Sequence, residues 1–267
     1  VSPPHALYTL SLNPALPLSL VRVPFLLPTF ALARNYYECD RSNNWIAYDY
    51  AKSLLSSADK NAAFFVYGDN DTFPLWCLQE AYRYRKDVKM VNLSLANTKW
   101  YIKQVQEYMG LDLGMTEKQI DDMRPYRTQD GLTFYLNNQV VDAVIDHNAR
   151  KVPINFSVTV ASEARKWHGK SIDPYLTITG LNWRLREDGN GMRESVDEAL
   201  SFFFDTTRFQ MRGIFDSTIY KDDNQLRLPR NYSNAMIMIA DSLRKAKRYD
   251  EGIRLLEYGY QILPLDN

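Results

Sequence analysis

The chain has 267 residues, 45% of them hydrophobic, and its 32 basic residues balance its 32 acidic ones. This length suits one large domain or two small ones, and the neutral balance gives no global field that would draw the chain to nucleic acid. The two cysteines, Cys39 and Cys77, and the three histidines lack the spacings of the usual zinc sites, and whether the cysteines pair is left open. We therefore expect a globular protein with a substantial core and with no metal or cofactor.

The first 34 residues are mostly apolar, since Arg22 is the only charged residue between Ala6 and Ala33. A segment of this length can cross a bilayer, but it lacks the basic start of a signal peptide. Its five prolines argue against a continuous helix: Pro4, Pro14, Pro17, Pro24 and Pro28. Two interpretations of residues 1–34 stay open, a membrane-proximal segment and an irregular arm packed on the domain.

Residues 35–190 alternate between helical and strand patterns. Apolar periodicity predicts helices at 45–57, 73–84, 97–109, 116–122 and 139–148, and Thr116 with Gln119 fits a capping box. Apolar β-rich runs predict central strands at 62–67, 88–93 and 154–159, a further strand at 175–178, and a short β-stretch at 134–137. Because the links are short, we expect an α/β domain with a parallel, Rossmann-like sheet in three layers and right-handed crossovers.

The glycine-bearing, charged stretch 187–191 marks a predicted boundary, after which residues 191–267 are helical. Helical patterns at 232–247 and 249–263 fit one tetratricopeptide-like unit. Ala240 is the small residue that such a unit has in its first helix. Gly252, Leu256 and Gly259 fit the small, large and small positions of the second helix, and Pro264 fits the terminal proline. We expect Ala240 and Gly259 to meet where the two helices cross. Since one such unit cannot bury both of its faces, it must pack on another part of the protein or on further repeats.

The candidate functional site is the turn Gly68-Asp69-Asn70-Asp71, which follows the predicted strand 62–67. Groups beyond the carboxyl ends of parallel strands line the ligand crevice of α/β proteins. The second predicted strand also ends in polar residues, Asn92, Ser94 and Asn97, and Trp76 and Trp100 offer aromatic faces to a sugar ring. Two alternatives stay open: aspartates in turns also bond their own backbone or cap helices, and the tryptophans also suit core packing.

Several motifs together resemble a bacterial family of multi-spanning membrane proteins. They are Cys39-Asp-Arg-Ser-Asn43, Ala47-Tyr-Asp-Tyr-Ala51, Gly68-Asp-Asn-Asp-Thr-Phe-Pro-Leu-Trp76, Arg85-Lys-Asp-Val88, Val91-Asn-Leu-Ser-Leu95, Asn97-Thr-Lys-Trp-Tyr-Ile102 and Val152-Pro-Ile-Asn-Phe-Ser-Val-Thr-Val160. The family is similar to the animal protein O-mannosyltransferase that modifies plexin-type domains. The resemblance covers about residues 33 to 267 and is most specific between Gly68 and Trp76.

This resemblance implies a GT-C type glycosyltransferase with a membrane half and a soluble half that carries tetratricopeptide repeats. The chain matches the soluble half, whereas the catalytic carboxylate of such enzymes is expected in the membrane half. No catalytic residue is therefore assigned, and whether the chain is itself an enzyme stays open. The resemblance also implies a membrane-associated protein whose soluble domain is extracytoplasmic, in bacteria periplasmic, and whose parent enzyme handles a sugar or a lipid-linked sugar.

Two functions from different classes remain. The first is a noncatalytic soluble domain of an O-mannosyltransferase-related membrane protein, which binds an acceptor or partner protein. The second is a self-contained α/β enzyme, or a small-ligand-binding domain, that uses the turn from Gly68 to Asp71. In this scheme residues 1–34 form the arm, 35–190 the α/β domain and 191–267 the helical segment.

Overall fold

The computed structural model describes residues 18–128, 131, 133–186 and 192–263. Their α-helices are α1 (Leu18–Cys39), α2 (Ile46–Ser57), α3 (Asp69–Glu80), α4 (Lys99–Glu107), α5 (Glu117–Asp122), α6 (Leu136–Asn148), α7 (Met192–Phe204), α8 (Asp223–Lys245) and α9 (Tyr249–Ile262). Their strands are β1 (Ala63–Val66), β2 (Lys89–Asn92), β3 (Tyr126–Arg127), β4 (Thr133–Phe134), β5 (Ile154–Ser157), β6 (Lys166–Trp167), β7 (Lys170–Ser171), β8 (Leu176–Thr179) and β9 (Asn182–Leu185). The chain divides into two compact units, residues 1–42 with 217–220 and residues 43–216 with 221–267.

The first unit contains α1, which continues through Pro24 and Pro28. The expectation that prolines would interrupt a helix is therefore wrong for residues 18–34, because each proline removes only one backbone donor and the other turns still close. Residues 1–17, with Pro4, Pro14 and Pro17, lie outside the described residues. Near the end of α1, the Tyr37 hydroxyl donates to the Ser217 carbonyl at 3.1 Å. Among the residues described, no helix has both the length and the apolar character that spanning a membrane requires.

The second unit is an α/β structure built on a five-stranded sheet in the order β2-β1-β5-β9-β8. Strand β1 pairs in parallel with β2 and with β5, which places Phe65 opposite Val91 and Phe156. Strands β9 and β8 are antiparallel to their neighbours. The expectation of a wholly parallel sheet is thus wrong, because only Gly180 and Leu181 connect β8 to β9, and a parallel connection needs a crossover of a dozen or more residues.

Strand β2 lies at an edge of this sheet, so the expectation that it would be central is also wrong. Its residues Met90, Val91 and Asn92 are nevertheless buried. Met90 and Val91 pack in hydrophobic clusters on opposite faces of the sheet, so both faces of β2 are covered as those of an interior strand would be. A run of buried residues in the sequence therefore does not distinguish the two positions.

Two hydrophobic cores lie on the opposite faces of the sheet, as the alternation of side chains along β1 shows. Phe64 and Val66 belong to one core, with buried residues of α2, α3, α7, α8 and α9. Ala63 and Phe65 belong to the other core, with buried residues of α4, α5 and α6. The sheet thus separates two helical layers, and the turn after β1 opens at its end.

Helices α8 and α9 form the expected antiparallel pair, but its close contacts differ from the expectation. A Cβ on Gly252 would lie 3.5 Å from the Ala240 carbonyl oxygen, and a Cβ on Gly259 would lie 2.7 Å from the Met236 sulfur. The expected contact between Ala240 and Gly259 is therefore wrong. In an antiparallel pair, residues nearer the turn meet each other, so Ala240 meets Gly252. Pro264 lies outside the described residues.

Candidate functional site

The turn after β1 leads directly into α3, and Gly68 is the residue that makes the turn. Its φ of +79° lies in the left-handed region that glycine adopts without strain. Helix α3 begins at Asp69, four residues before the predicted start at 73, so Pro74 lies within the helix rather than in its first turn. Gly68 itself is the N-cap residue and no side chain caps the helix. The carboxylates of Asp69 and Asp71 are therefore not used as caps.

Asp71 points into the protein, where it is 1% exposed and accepts hydrogen bonds from three hydroxyl groups. Tyr50 of α2 donates to its Oδ1 at 2.9 Å, and Ser157 of β5 donates to its Oδ2 at 2.9 Å. The Thr159 hydroxyl also donates to Oδ2. Asn231 of α8 in turn donates its Nδ2 to the Tyr50 hydroxyl at 2.8 Å. One carboxylate thus joins the helices α2, α3 and α8 to the end of β5.

No cationic side chain of the described residues forms an ion pair with Asp71, so its charge is balanced by hydroxyl dipoles alone. Burial raises the pKa of the Asp71 carboxyl, and the bonds from Thr159, Ser157 and Tyr50 oppose this rise. Burial also raises the pKa of Tyr50 well above its usual value, and the neighbouring Asp71 charge adds to this. A buried carboxyl without a cation can hold or exchange a proton nearer neutrality than a surface aspartate can.

A pocket of about 400 Å³ opens beside this carboxyl, between the Gly68 turn and α8. Its walls carry amide, carboxylate and guanidinium groups together with few apolar side chains. The lining residues are Tyr67, Gly68, Asp69, Asn70, Asp71, Thr159, Arg227, Leu228, Arg230, Asn231 and Asn234. The structure thus brings Asp69, Asn70 and Asp71 together at one cavity, and the opposite wall comes from the helical segment.

Asn92 lies at the end of β2, but its side chain serves the fold rather than the pocket. Its Nδ2 donates to the Thr72 hydroxyl at 2.5 Å, and its Oδ1 accepts the backbone N–H groups of Ser94 and Leu95 at 2.7 and 2.9 Å. The Thr72 hydroxyl donates to the Gly68 carbonyl at 2.7 Å. Asn92 therefore holds the Gly68 turn in place from the neighbouring strand.

The remaining predicted site residues lie away from the pocket lining. Ser94 is exposed in the turn after β2, and Asn97 accepts a hydrogen bond from the Asn137 backbone at 3.3 Å. Trp76 is half-buried and packs against both cores, which is the alternative role considered for it. Trp100 is 55% exposed and meets Tyr101 edge to face, with 5.7 Å between ring centroids. These four residues stay predictions as ligand groups.

Sequence reasoning missed the residues that complete the site, namely Tyr50, Ser157, Thr159, Asn231 and the arginines of α8. One signal was present, because Ser157 and Thr159 place two hydroxyls at the end of the predicted strand 154–159. The contribution of α8 had no local signal, since Asn231 follows Asp71 by 160 positions along the chain. The described residues contain no cluster of three or more His, Cys, Asp or Glu side chains that could hold a metal ion. Cys39 and Cys77 are both free and exposed.

In a comparison with known families, residues 47–123 match the TMEM260-associated domain 2 family. TMEM260 is an animal protein O-mannosyltransferase, so the match is consistent with the relation expected from the motifs. The matched residues run from α2 to the end of α5 and include the whole Gly68 turn. No curated protein and no solved structure matches the chain.

Proposed function

We propose that this chain is a noncatalytic domain of an O-mannosyltransferase-related glycosyltransferase and that it binds an acceptor or partner protein. The observation that supports this most is the pocket at the Gly68 turn, one wall of which lies in the segment that matches the TMEM260-associated domain. We place the bound polypeptide segment in this pocket, between the turn and α8.

The chemistry of the pocket favours a polypeptide segment. Asn70, Asn231 and Asn234 have side-chain amides, and each amide both donates and accepts hydrogen bonds, as a peptide backbone does. Arg227 adds donors at the rim, and Asp69 adds an exposed acceptor at the first position of α3. Such mixed donors and acceptors match main-chain groups and serine or threonine hydroxyls of an extended segment.

The finer features of the family enter as part of this proposal. They are a bacterial GT-C parent enzyme that handles a sugar or a lipid-linked sugar, a soluble domain on the extracytoplasmic side of a membrane, a Rossmann-like α/β region at 35–190 and a tetratricopeptide-like region at 191–267. The mixed sheet and the antiparallel pair of α8 and α9 are compatible with the last two features.

The test is binding of fluorescein-labelled extended peptides rich in serine and threonine to the whole chain, measured by fluorescence anisotropy. We expect saturable binding that weakens by about tenfold when Arg227→Ala and Asn234→Ala are combined, because this removes two polar partners at the rim. The matched control is Lys118→Ala, since Lys118 is exposed on α5 and does not line the pocket. Absence of peptide binding would refute the proposal. So would binding that the combined Arg227 and Asn234 variant leaves as strong as the Lys118 control does.

A second candidate function, a small polar ligand site or an enzyme site, is favoured by the raised pKa of Asp71 at the pocket wall. A free sugar such as mannose tests it, because a sugar that fits the pocket would compete with the labelled peptide. Binding of mannose without binding of any peptide, lost in the same Arg227 and Asn234 variant, would favour this second function over the first.

A further inference from the structure

A second cavity, of about 610 Å³, lies in the α/β region and shares no residue with the pocket at the Gly68 turn. We call it the hairpin cleft, because the hairpin of β6 and β7 forms one of its walls. Its apolar surface comes from Ile145, Ala149, Ile172 and Leu185, and the other lining residues are Asp146, Arg150, Trp167, His168, Lys170, Ser171, Tyr175 and Arg186.

The hairpin is held against α6 by two aspartates that lie one helical turn apart. Asp142 accepts the backbone N–H of His168 at 2.7 Å, and its other oxygen lies 3.5 Å from Nδ1 of that histidine. Asp146 Oδ1 accepts the indole N–H of Trp167 at 2.8 Å and lies 3.1 Å from Nε2 of His168. The Trp167 ring is therefore positioned before any partner arrives.

Trp167 nevertheless remains 42% exposed, and Tyr175, which also lines the cleft, is 54% exposed. Both rings lie on short, hydrogen-bonded elements, the hairpin and the 3-10 turn Asp173–Tyr175. Aromatic rings that are rigid and open to solvent lose little conformational entropy on binding. Tryptophan, tyrosine and arginine are also the residues most enriched among those that dominate the energy of protein interfaces.

The charged groups of the hairpin cleft are mainly positive. Arg150, Lys170 and Arg186 line it together with a single carboxylate, Asp146. The Arg186 side chain donates to the Thr177 hydroxyl at 3.4 Å, and within the described part of the chain Arg150, Lys170 and Arg186 form no ion pair. The Asp146 Oδ1 is already occupied by Trp167 and His168. The cleft therefore attracts a negatively charged partner.

We propose that the hairpin cleft binds an acidic peptide segment with an aromatic or large aliphatic side chain at its centre. The apolar side chain would lie on Trp167 and Tyr175, and flanking carboxylates would meet Arg150, Lys170 and Arg186. The three cations come from separate places, the end of α6, strand β7 and the residue after β9. Such spacing suits several carboxylates along an extended chain better than one compact anion. This inference is independent of the function proposed for the Gly68 pocket.

The experiment uses the whole chain and a fluorescein-labelled peptide of the form Gly-Asp-Glu-Phe-Glu-Asp-Gly, with binding measured by fluorescence anisotropy at low salt. We expect charge reversal by Arg150→Glu together with Lys170→Glu to weaken binding by at least about tenfold. Tyr175→Ala should weaken it by about fivefold or more, through loss of the aromatic contact. The matched control is Lys60→Glu, because Lys60 is exposed and does not line the cleft. It should change the dissociation constant by less than about twofold.

The binding site is located by labelling the five tryptophans with fluorotryptophan and recording fluorine NMR spectra, with the Trp167 signal assigned from Trp167→Phe. The acidic peptide should shift the Trp167 signal, which no effect on the Gly68 pocket alone would do. Equal binding of a peptide with Asn and Gln in place of its acids, or with Gly in place of Phe, would overturn the proposal. So would absence of binding, or displacement of the peptide by adenosine monophosphate at lower concentration.

Discussion

Asp71 is a buried carboxylate whose partners are hydroxyl groups rather than a cation. Removing an ionised carboxylate from water is costly, and three hydroxyl donors recover only part of that cost. The residue is therefore poorly explained as a device for stability. Its place at a pocket wall gives it a use, because the carboxylate orients the hydroxyl of Thr159, which lines the cavity with it, and is itself held by Tyr50 and Ser157.

The Asp71→Asn variant should show the cost of this buried charge through the pH dependence of stability. Burial raises the folded-state pKa of Asp71 above its unfolded value, so the folded chain binds the proton more tightly. The contribution of this group to the free energy of unfolding therefore falls as pH rises from the unfolded pKa to the higher folded-state pKa. Relative to the variant, the wild-type chain should gain stability as pH falls through the raised folded-state pKa of Asp71 towards the unfolded value of about 4. Urea unfolding at several pH values measures this. A difference in free energy of unfolding between wild type and variant that stays constant, or that favours the wild type more as pH rises, would contradict it.

Asp87 should show the opposite dependence, because hydrogen bonds from Arg85 lower its pKa to about 2. Its contribution to stability is present above the unfolded pKa near 4 and is lost as pH falls through about 2. Asp87→Asn should reduce the free energy of unfolding by about 1 kcal/mol at neutral pH, a value discounted because the ion pair is partly exposed. The same urea series measures it. A deficit that persists unchanged below about pH 2 would show that the charge is not responsible.

The Arg85 side chain also explains why the polar motif from Arg85 to Val88 belongs to the fold. Its Nη1 atom donates to the carbonyls of Leu55 and Ala58 at 2.6 and 3.1 Å, and its Nη2 atom donates to Asp59 at 2.9 Å. These carbonyls lie in the last turn of α2 and in the two residues that follow it, where few intrahelical donors remain. A single guanidinium thus joins the end of α2 to the start of β2.

At the scale of elements, the sequence predicted the helices and strands of the matched region well because their signals are local. The helix at 45–57 and the capping box of Thr116 with Gln119 are confirmed, the latter with both reciprocal bonds present. The antiparallel direction of β8 and β9 follows from the two-residue link Gly180–Leu181 between them. The sequence patterns did not predict β9 as a separate strand, so they gave no indication of this link. The edge position of β2 depends on the whole sheet and has no local signal at all.

Gly180 should be among the least replaceable glycines, for two separable reasons. Its φ is +71°, and an added Cβ would lie 2.8 Å from the Phe202 ring and 3.0 Å from the Ser57 Cβ. Gly110 has a φ of +63° with nothing within 4 Å, so Gly110→Ala isolates the backbone strain. We expect Gly110→Ala to cost about 1 kcal/mol and Gly180→Ala to cost about 2 kcal/mol more. If the two variants lose equal free energy of unfolding in thermal or urea experiments, the side chains around Phe202 rearrange to accept the added Cβ.

At the scale of the whole molecule, the candidate site could be predicted only in part. The Gly68 turn was found because a glycine and two aspartates follow an apolar strand, which is a pattern of neighbours in sequence. The partners of Asp71 come from α2, β5 and α8, and only the folded chain brings them together. Asn92, by contrast, was expected at the site and instead supports the turn, because its oxygen is used by two backbone N–H groups.

The helical segment after residue 191 is built into the same core as the α/β region, and this bears on the predicted boundary. Leu255 of α9 is fully buried in one hydrophobic cluster with Leu54 of α2, Phe64 of β1 and Phe202 of α7. If this cluster makes folding cooperative, loss of a contact in α9 must destabilise the sheet as well. The boundary at 191 would then divide the sequence without dividing the unfolding reaction.

Leu255→Ala should therefore cost about 2 to 5 kcal/mol and lower one shared unfolding transition. Tryptophan fluorescence follows the α/β region, which holds the tryptophans of the second unit. Far-ultraviolet circular dichroism also follows α8 and α9. The melting curves from the two methods should shift together. The free energy of opening that hydrogen exchange reports for the β1 amides should fall by the same amount. The adjacent control is Leu256→Ala, which should cost less than about 1 kcal/mol because Leu256 is 43% exposed. An early transition confined to circular dichroism, with exchange in β1 unchanged, would instead show that the helical segment unfolds as a domain of its own.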